Sequence, residues 1–562
     1  MTSTVEIALG LPGQGMRLGI DPLSLLFLCI LAPQAVAGAM AFEWRSAGFW
    51  VGVLGMMLAL LAADAFALLF GFALMSIACW LAAPRAAGPG PAWAGLLPGA
   101  IAAFSVACLV PAVFLPGGNA AFALLLLGTL SQAMLVPPNG WLPGARQASS
   151  PGIAAVTSGG MMNVAFYILI RYGFVVDAGA IAPWWGAALL AAGAAAALFG
   201  ALRAMLEAEL DTVLASASLA QAGLIAVGLG VALQARTRDD PALAALALEA
   251  ALLFVVAQAL IVPLLFLGAG AIRAGTGTAS LDWLGGLMRG MPRLGLLLLT
   301  GVAGLAAIPL FPGFAPALLL WHAVIAAAGS GGGLACLGYG VVLGMLGLGA
   351  GLMLAASVRI IGVGFLGRPR TLRAAAAGEA EKPVLLGMAL LAVMGIPVAL
   401  IPAALLRAMA PVFAMLIPNG QLQPIPYAPL PLALLLLALT GLAFLVLRRF
   451  GTRAEREAAA WNGGFGKPPA WLPFGDPLTQ PSATGFAEPT ARALGLPPPW
   501  RWRNRRLIRR AARFVARLVA RLAARLVTLL GVRLRHAASR WRLAMMLAAL
   551  AAALLALGVR AG

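Results

Sequence analysis

Long runs of apolar residues, separated by short polar or Gly/Pro-rich breaks, recur from about residue 22 to residue 447. A transmembrane helix needs about 20 mainly apolar residues. A transmembrane β-barrel is excluded because its strands alternate apolar and polar residues, whereas residues 181–202 are apolar throughout. The predicted fold is therefore an all-α polytopic membrane protein. Windows of about 20 residues predict about fifteen transmembrane helices, which cover residues 22–42, 47–63, 64–83, 92–115, 119–136, 151–174, 181–205, 211–233, 242–270, 291–311, 314–329, 332–357, 383–406, 428–447 and 542–559.

Two Gly/Pro-rich interruptions lie inside this predicted bundle. Residues 308–313 read IPLFPG and residues 330–333 read SGGG. Such a sequence marks either a helix that is broken within the membrane or an ordinary loop between two helices. The sequence leaves both interpretations open.

The chain changes character after the bundle, which is predicted to occupy residues 1–447. Residues 448–504 are polar and rich in Gly, Pro and Arg, which predicts an extramembrane connector. Residues 505–541 predict a basic amphipathic helix that lies in the membrane interface, and residues 542–562 predict a final transmembrane helix. Arginines recur at every fourth position of the amphipathic segment, at Arg505, Arg509, Arg513, Arg517, Arg521 and Arg525.

Composition and charge support this organisation. The chain has 562 residues, of which 62% are hydrophobic and 10% are charged, whereas about 25% of a soluble domain is charged. The net charge is +20, and 15 arginines but no acidic residue follow residue 500. The positive-inside rule predicts that this basic segment stays cytoplasmic. We expect anionic lipid head groups to contact Arg505–Arg525, although an arm that packs along partner helices fits the same pattern equally well. Nucleic acid is not expected, because stacking aromatics are not interleaved with the arginines.

No sequence motif indicates catalysis or a cofactor. Nucleotide-binding loops, hydrolase nucleophile motifs and zinc-protease motifs are not found in the sequence. The cysteines lie within apolar segments and do not have metal-ligand spacing. We therefore expect no cofactor, no metal and no catalytic residue. The four cysteines are Cys29, Cys79, Cys108 and Cys336.

Two stretches of the sequence resemble one known family. Residues 138–146 (PNGWLPGAR) and 158–163 (SGGMMN), followed by Tyr167, resemble the "HxWLPxAH...SGxMxK...Y" region of antiporter-type membrane subunits. This family comprises the proton-pumping subunits of respiratory complex I, the Mrp-type antiporters and the membrane arm of group 4 hydrogenases. Residues 461–465 (WNGGF) and 479–489 (TQPSATGFAEP) are similar to the C-terminal "WxCGY...QYTxxSFAxP" segment of the hydrogenase-4 component B group.

Shorter matches follow in the same order, so the resemblance covers most of residues 18–490. It implies a bundle of two inverted repeats of five helices, each with a broken helix, that moves protons or Na⁺ in partnership with redox subunits. It also implies that the two helices that usually precede the Asp21 segment are absent. The shorter matches are residues 19–25 (GIDPLSL), 74–76 (LMS), 264–270 (LLFLGAG), 284–292 (LGGLMRGMP) and 364–370 (GFLGRPR).

Most of the family's proton-relay positions are replaced in this chain. A proton needs titratable groups to cross about 30 Å of hydrocarbon, and the resemblance implies a relay of Glu, Lys and His. Ala73 stands at the glutamate of "WELMS", Asn163 at the lysine after "SGxM", and Ala317 at the glutamate of "GFxSEW". Phe254, Ala257, Gln258 and Val262 replace the polar residues of "HxxNHxxxKxLLFL". The sequence therefore predicts a degenerate relay.

A few residues remain as candidates for a proton path: Asp211, Glu209, Glu249, His322 and Arg359. Each also has a purely structural interpretation. Glu209 and Asp211 suit a helix start, Glu249 suits a first helical turn, His322 suits a buried neutral imidazole, and Arg359 suits a side chain that snorkels to the membrane interface.

The sequence predicts a non-catalytic, antiporter-like subunit of a group 4 hydrogenase or complex-I-like redox complex, which acts mainly as a scaffold in the cell inner membrane. Its expected partners are the other membrane and peripheral subunits of that complex. The alternative is a working proton or cation translocator coupled to quinone- or hydrogen-linked oxidoreduction, which would use Asp211, Glu249 and His322.

Overall fold

The computed structural model describes residues 4–11, 14–41, 45–82, 93–114, 118–133, 135, 150–176, 182–330, 332–418, 420–425, 427–451 and 480–495. The predicted amphipathic helix and final transmembrane helix, residues 505–562, lie outside them. The described residues form helices α1 (Pro22–Met40), α2 (Ala47–Leu61), α3 (Ala65–Ala82), α4 (Trp93–Phe114), α5 (Asn119–Gln132), α6 (Pro151–Val156, Met162–Arg171), α7 (Pro183–Leu206), α8 (Leu210–Arg236), α9 (Pro241–Thr276), α10 (Leu287–Gly290), α11 (Pro292–Leu305), α12 (Phe314–Gly329), α13 (Gly333–Gly364), α14 (Leu372–Ala375), α15 (Lys382–Leu400), α16 (Pro402–Ala408), α17 (Ala410–Leu416), α18 (Pro429–Phe450) and α19 (Ala483–Ala493).

The described chain is mostly helical, which confirms a polytopic helical membrane fold. Eight helices, namely α1, α6, α7, α8, α9, α13, α15 and α18, are long and apolar enough to cross a membrane, and six shorter apolar helices lie among them. The total of about fifteen transmembrane helices and the inverted repeats remain predictions.

An N-terminal hairpin departs from the all-α prediction. Strand β1 (Thr4–Leu11) pairs antiparallel with β2 (Gln14–Gly19) ahead of α1. The hairpin rests on the start of α3, where the Asp64 carboxylate accepts the backbone N–H of Arg17 at 2.7 Å. These strands, of eight and six residues, are much shorter than the roughly 20-residue apolar runs that indicate transmembrane helices, so the apolar pattern does not predict them.

Helices α8 and α9 form the centre of the bundle, and nearly all of their side chains are buried. Helix α7 packs on α8 through glycines. A Cβ atom at Gly193 would lie 2.7 Å from the backbone nitrogen of Val227, and one at Gly230 would lie 2.6 Å from that of Leu190. Small residues at these positions let the two backbones approach closely, which is how apolar helices associate within a membrane.

Helix α6 is irregular and contains two π-helical turns, Thr157–Met161 and Tyr172–Val176. A π-helical turn widens a helix locally and often occurs at a functional site. The first turn contains Gly159 and Gly160, and it packs against α1 and α9. This turn lies within the SGGMMN stretch that carries the family resemblance.

Helices α11 and α12 are separated by the Gly/Pro-rich residues 308–313. Gly304, near the end of α11, lies against Ile261 in the middle of α9, so the break falls at mid-depth of the bundle. Ala307 and Leu310 in the break have φ values of 50° and 71°, a conformation that costs a non-glycine residue about 1–2 kcal/mol. Residues 308–313 therefore interrupt the helical structure beside the middle of α9, and the assignment of α11 and α12 to one crossing or two stays a prediction.

Candidate functional site

Asp211 forms an ion pair with Arg273. Asp211 lies in the first turn of α8 and its side chain is 3% exposed, whereas Arg273 is near the end of α9 and its side chain is 32% exposed. The Arg273 Nη2 donates to the Asp211 carboxylate. The pair neutralises the buried charge of Asp211, which leaves this carboxylate bound in a structural contact. The sequence pointed to Asp211 but not to Arg273, which is distant in the chain.

Glu209 and Glu207 lie in the short link between α7 and α8. Glu209 forms an isolated backbone bridge with Ser280. Burial raises the pKa of Glu209 above its usual range, and the neighbouring Asp211 and Glu207 carboxylates act in the same direction while Ser280 opposes them. Burial also raises the pKa of Glu207, although the Arg203 guanidinium, 3.3 Å from it, lowers this pKa. The three carboxylates therefore do not form one site. Asp211 pairs with Arg273 and Glu207 with Arg203, whereas Glu209 interacts with Ser280.

The guanidinium of Arg359 is buried and bound by carbonyl groups of the protein, which the interpretation as a snorkelling side chain does not predict. The residue is 1% exposed. Its Nη2 donates to the Ala204 carbonyl at 2.7 Å and to the Glu207 carbonyl, and its Nη1 donates to the Ala483 carbonyl at 3.4 Å. No carboxylate oxygen lies within 4.0 Å of it in the part of the chain that the structure describes. Arg359 thus joins α13, α7 and α19, and the Ala204 carbonyl is one that the C-terminal end of α7 leaves without an intrahelical partner.

Arg370 also binds the segment that contains α19, residues 480–495. Its Nη2 donates to the Pro481 carbonyl at 2.5 Å and its Nη1 to the Leu281 carbonyl at 3.0 Å. The Asp282 carboxylate accepts the Thr484 backbone N–H at 3.0 Å. Burial lowers the pKa of Arg370, and Asp282 opposes this shift. Two stretches that carry the family resemblance, 364–370 and 479–489, therefore meet here, and residues 480–495 of the predicted connector lie on the bundle.

Glu249 is not a first-turn acid. It is the ninth residue of α9 and is fully buried. Its Oε1 accepts the backbone N–H of Gln423 at 2.8 Å, and its Oε2 has no hydrogen-bond partner among the described residues. Gln423 belongs to the segment between α17 and α18, which no sequence signal connects with Glu249. The carboxylate therefore links α9 to that segment.

His322 is not a buried imidazole. It is exposed on the outer surface of α12, and its Nδ1 lies 2.8 Å from the Leu318 carbonyl one turn earlier. The apolar sequence around His322 predicted burial, but the helix presents this face outward. His322 is therefore separated from the buried carboxylates by the packing of α12.

The four residues that are predicted to replace relay groups lie on four helices. Ala73 on α3 and Ala317 on α12 are half-buried, and Val262 on α9 is buried. Asn163 on α6 is buried as well, and neither its Oδ1 nor its Nδ2 has a partner among the described residues. These side chains place no titratable group inside the bundle.

The central helix carries no charge between Glu249 and Arg273. These residues are 24 positions apart, which corresponds to about 36 Å of helix, and Gln258 is the one polar side chain among residues 250–272. Within the described ranges no Lys or His is buried, and the buried carboxylates are Asp21, Asp211 and Glu249. Asp21 pairs with Arg171 at 2.6 Å. The buried carboxylates therefore do not form a continuous chain of proton-exchanging groups through the bundle.

The fold and these contacts define a multi-pass helical membrane protein. Residues 112–341 match the family model described as NADH:quinone oxidoreductase/Mrp antiporter, TM. The chain is 30% identical over 389 residues to hydrogenase-4 component B of Escherichia coli, a match that covers 66% of this chain and 58% of that protein. Residues 112–341 therefore belong to the family of antiporter-type membrane subunits.

Two further similarities agree with this family. An uncharacterized protein of Mycobacterium tuberculosis is 35% identical over 276 residues, which cover 49% of this chain and 42% of that protein. The chain therefore matches about half the length of these curated relatives. A chain in the structure of the membrane-bound sulfane sulfur reductase, an archaeal respiratory membrane complex, has a TM-score of 0.70 at 18% identity, over 98% of this chain and 92% of that chain. This similarity shows the fold.

Proposed function

We propose that this chain is an antiporter-like, non-catalytic membrane subunit of a redox complex of the group 4 hydrogenase or complex I type, located in the inner membrane. Its relatives include hydrogenase-4 component B, and a chain of similar fold comes from a respiratory membrane complex. Its partners in this proposal are the other membrane and peripheral subunits of such a complex. The predicted lipid-binding arginines, Arg505–Arg525, lie outside the described residues.

We further propose that its proton relay is degenerate and that it acts mainly as a scaffold. The observation that carries this proposal is the uncharged interior along α9 between Glu249 and Arg273. A relay needs groups that titrate, and the amides of Gln258 and Asn163 do not. A charged residue at the centre of a membrane helix costs about 2.5–3.5 kcal/mol. A subunit that is released from pumping would therefore tend to lose such residues together.

A second candidate function, a working translocator, is favoured by one feature of Glu249. This carboxylate is fully buried and its Oε2 has no partner among the described residues, so it is available to exchange a proton. The alternative path would join Glu249 to Asp211 and His322. The ion pair of Asp211 and the outward position of His322 count against this path.

Proton translocation by the complete complex distinguishes the two candidates. Inverted membrane vesicles that contain the complex are assayed with a pH-sensitive dye while its electron donor is supplied. The compared variant carries Asp211→Asn, Glu249→Gln and His322→Gln. A scaffold predicts translocation rates, normalised to electron transfer, within twofold of wild type, whereas a translocator predicts a loss of at least about tenfold, the rate effect of 1.4 kcal/mol.

The control variant is Asp239→Asn. Asp239 is exposed and has a φ of 56°, a backbone conformation that asparagine also tolerates. The Asp239→Asn substitution therefore removes a carboxylate without disturbing a buried contact. Complex assembly is checked by size-exclusion chromatography, because a triple variant that does not assemble would lose translocation without having lost a relay.

A further inference from the structure

Three buried amide side chains lie on the three helices that pack around the first π-helical turn of α6. Gln34 on α1, Asn163 on α6 and Gln258 on α9 are 0%, 4% and 0% exposed. Gln34 Oε1 lies against Gly159, where a Cβ atom would collide with it. Gln258 Nε2 donates to Met162 Sδ at 2.6 Å. Asn163 follows Met162 directly in sequence, just after the π-helical turn that contains Gly159. We call these three residues the amide cluster.

The amide cluster has more polar atoms than partners. Gln34 Nε2 donates to the Ile30 carbonyl at 2.9 Å. Among the described residues, no hydrogen bond is made by Gln34 Oε1, Gln258 Oε1, Asn163 Oδ1 or Asn163 Nδ2. Buried polar groups in native proteins are almost always hydrogen-bonded to protein or to ordered water. Several unpaired amide atoms at one place therefore indicate a bound group.

The chemistry of the unpaired atoms selects the bound group. Three amide oxygens need a donor, and the Asn163 NH₂ needs an acceptor. A bare monovalent cation offers no lone pair to the NH₂ group, and a halide offers no proton to the oxygens. Water donates and accepts, and buried water makes two to four hydrogen bonds. If the Gln258 amide is flipped, its unpaired atom is the NH₂ group instead of the oxygen. The bound group must still donate hydrogen bonds to the remaining oxygens and accept hydrogen bonds from the NH₂ groups.

We propose that the amide cluster is a binding site for ordered water inside the helical bundle. The site is enclosed, because Leu31 and Met56 pack against Gly160 and the apolar side chains of α9 flank Gln258. The nearest acid on α9, Glu249, is nine residues away, which is about 13 Å along the helix. The water therefore stabilises the junction of α1, α6 and α9 and meets no titratable side chain there. The inference does not depend on whether the subunit pumps protons.

Radiolytic labelling tests the proposal directly on the intact complex. A brief X-ray pulse in ¹⁸O-labelled water produces hydroxyl radicals from bound water, which oxidise the nearest side chain. Met162 contacts Gln258, whereas Met388, on α15, packs against Gly268, and both methionines are fully buried. We expect Met162 to be oxidised at least tenfold faster than Met388. Equal, slow oxidation of the two methionines would overturn the proposal.

Substitutions give a second test, because the change in the thermal unfolding midpoint has opposite signs with and without a bridging water. If water bridges the amides, Asn163→Leu and Gln258→Leu each remove partners of that water, so the thermal unfolding midpoint falls and the labelling of Met162 drops to the rate of Met388. If the amides are simply unpaired, the same apolar replacements raise the midpoint, which contradicts the proposal. A saturable rise in the wild-type midpoint with Na⁺ or K⁺, relative to choline at constant ionic strength, would show a cation in place of water.

Discussion

Arg273 of α9 donates to the carboxylate of Asp211 on α8, so the one carboxylate that the family resemblance aligns with a relay lysine is neutralised by an arginine. The same two helices contain no other charge until Glu249, two turns into α9 from its opposite end. The pair is therefore a structural contact between the two central helices, and its energetic role is testable.

Removal of one partner of this pair should destabilise the protein more than removal of both. Arg273→Met leaves the buried Asp211 charge without its partner, and we expect a loss of about 2 kcal/mol, reduced from the 3–5 kcal/mol of a fully buried pair because Arg273 is partly exposed. Asp211→Leu combined with Arg273→Met should recover most of this loss. Thermal unfolding in detergent measures both. Equal losses in the single and the double variant would contradict a buried ion pair.

Arg370 should control the docking of α19. Arg370→Met removes hydrogen bonds to the carbonyls of Pro481 and Leu281, each from a charged donor and worth about 1.5–3 kcal/mol. We expect amide hydrogen exchange in Ala483–Ala493 to accelerate at least about tenfold. Arg368→Met is the matched control, because Arg368 contributes its backbone N–H to Gln480 and keeps it in the variant. The same acceleration in both variants would mean that the loop, and not the guanidinium, holds α19.

Glu209 should make the stability depend on pH. Because burial raises its pKa above the usual 4.5, the folded protein holds the proton to higher pH than the unfolded chain does. Its contribution to stability is therefore complete below pH 4.5 and is lost as the pH rises through the raised pKa. Glu209→Gln should unfold at a temperature equal to or above that of wild type at pH 8, with a smaller difference toward pH 5. The exposed Glu381→Gln variant should show no such trend.

Close packing of α7 on α8 should tolerate no side chain at Gly193. Gly193→Leu places new atoms against the backbone of α8, and overpacking typically costs about 1–3 kcal/mol or more. Gly344→Leu on α13 is the control, because a Cβ there meets no atom within 4 Å. We expect loss of the monodisperse peak in size-exclusion chromatography for the first variant only. Equal behaviour of the two variants would refute the close helix contact.

The positions of the candidate residues show the limits of apolar patterning. Helix existence followed from length and hydropathy, because hydrocarbon thickness fixes how many apolar residues a crossing needs. Burial did not follow, because within an apolar helix the inward and outward faces have the same composition. Apolar patterning therefore places His322 in the interior and the Arg359 guanidinium at the membrane interface. In the structure His322 is exposed and Arg359 is buried within the protein.

By itself the sequence determined the membrane environment and the helical class and indicated the family, since each depends on residue types read in order. It also predicts that Ala73, Asn163, Val262 and Ala317 replace relay residues. Only the tertiary structure decided that residues 308–313 separate α11 from α12 beside the middle of α9, that Arg273 neutralises Asp211, and that Arg359 and Arg370 bind residues 481–483. These contacts join segments that are 62 to more than 100 residues apart. Such pairings depend on how helices pack against one another, which local composition does not encode.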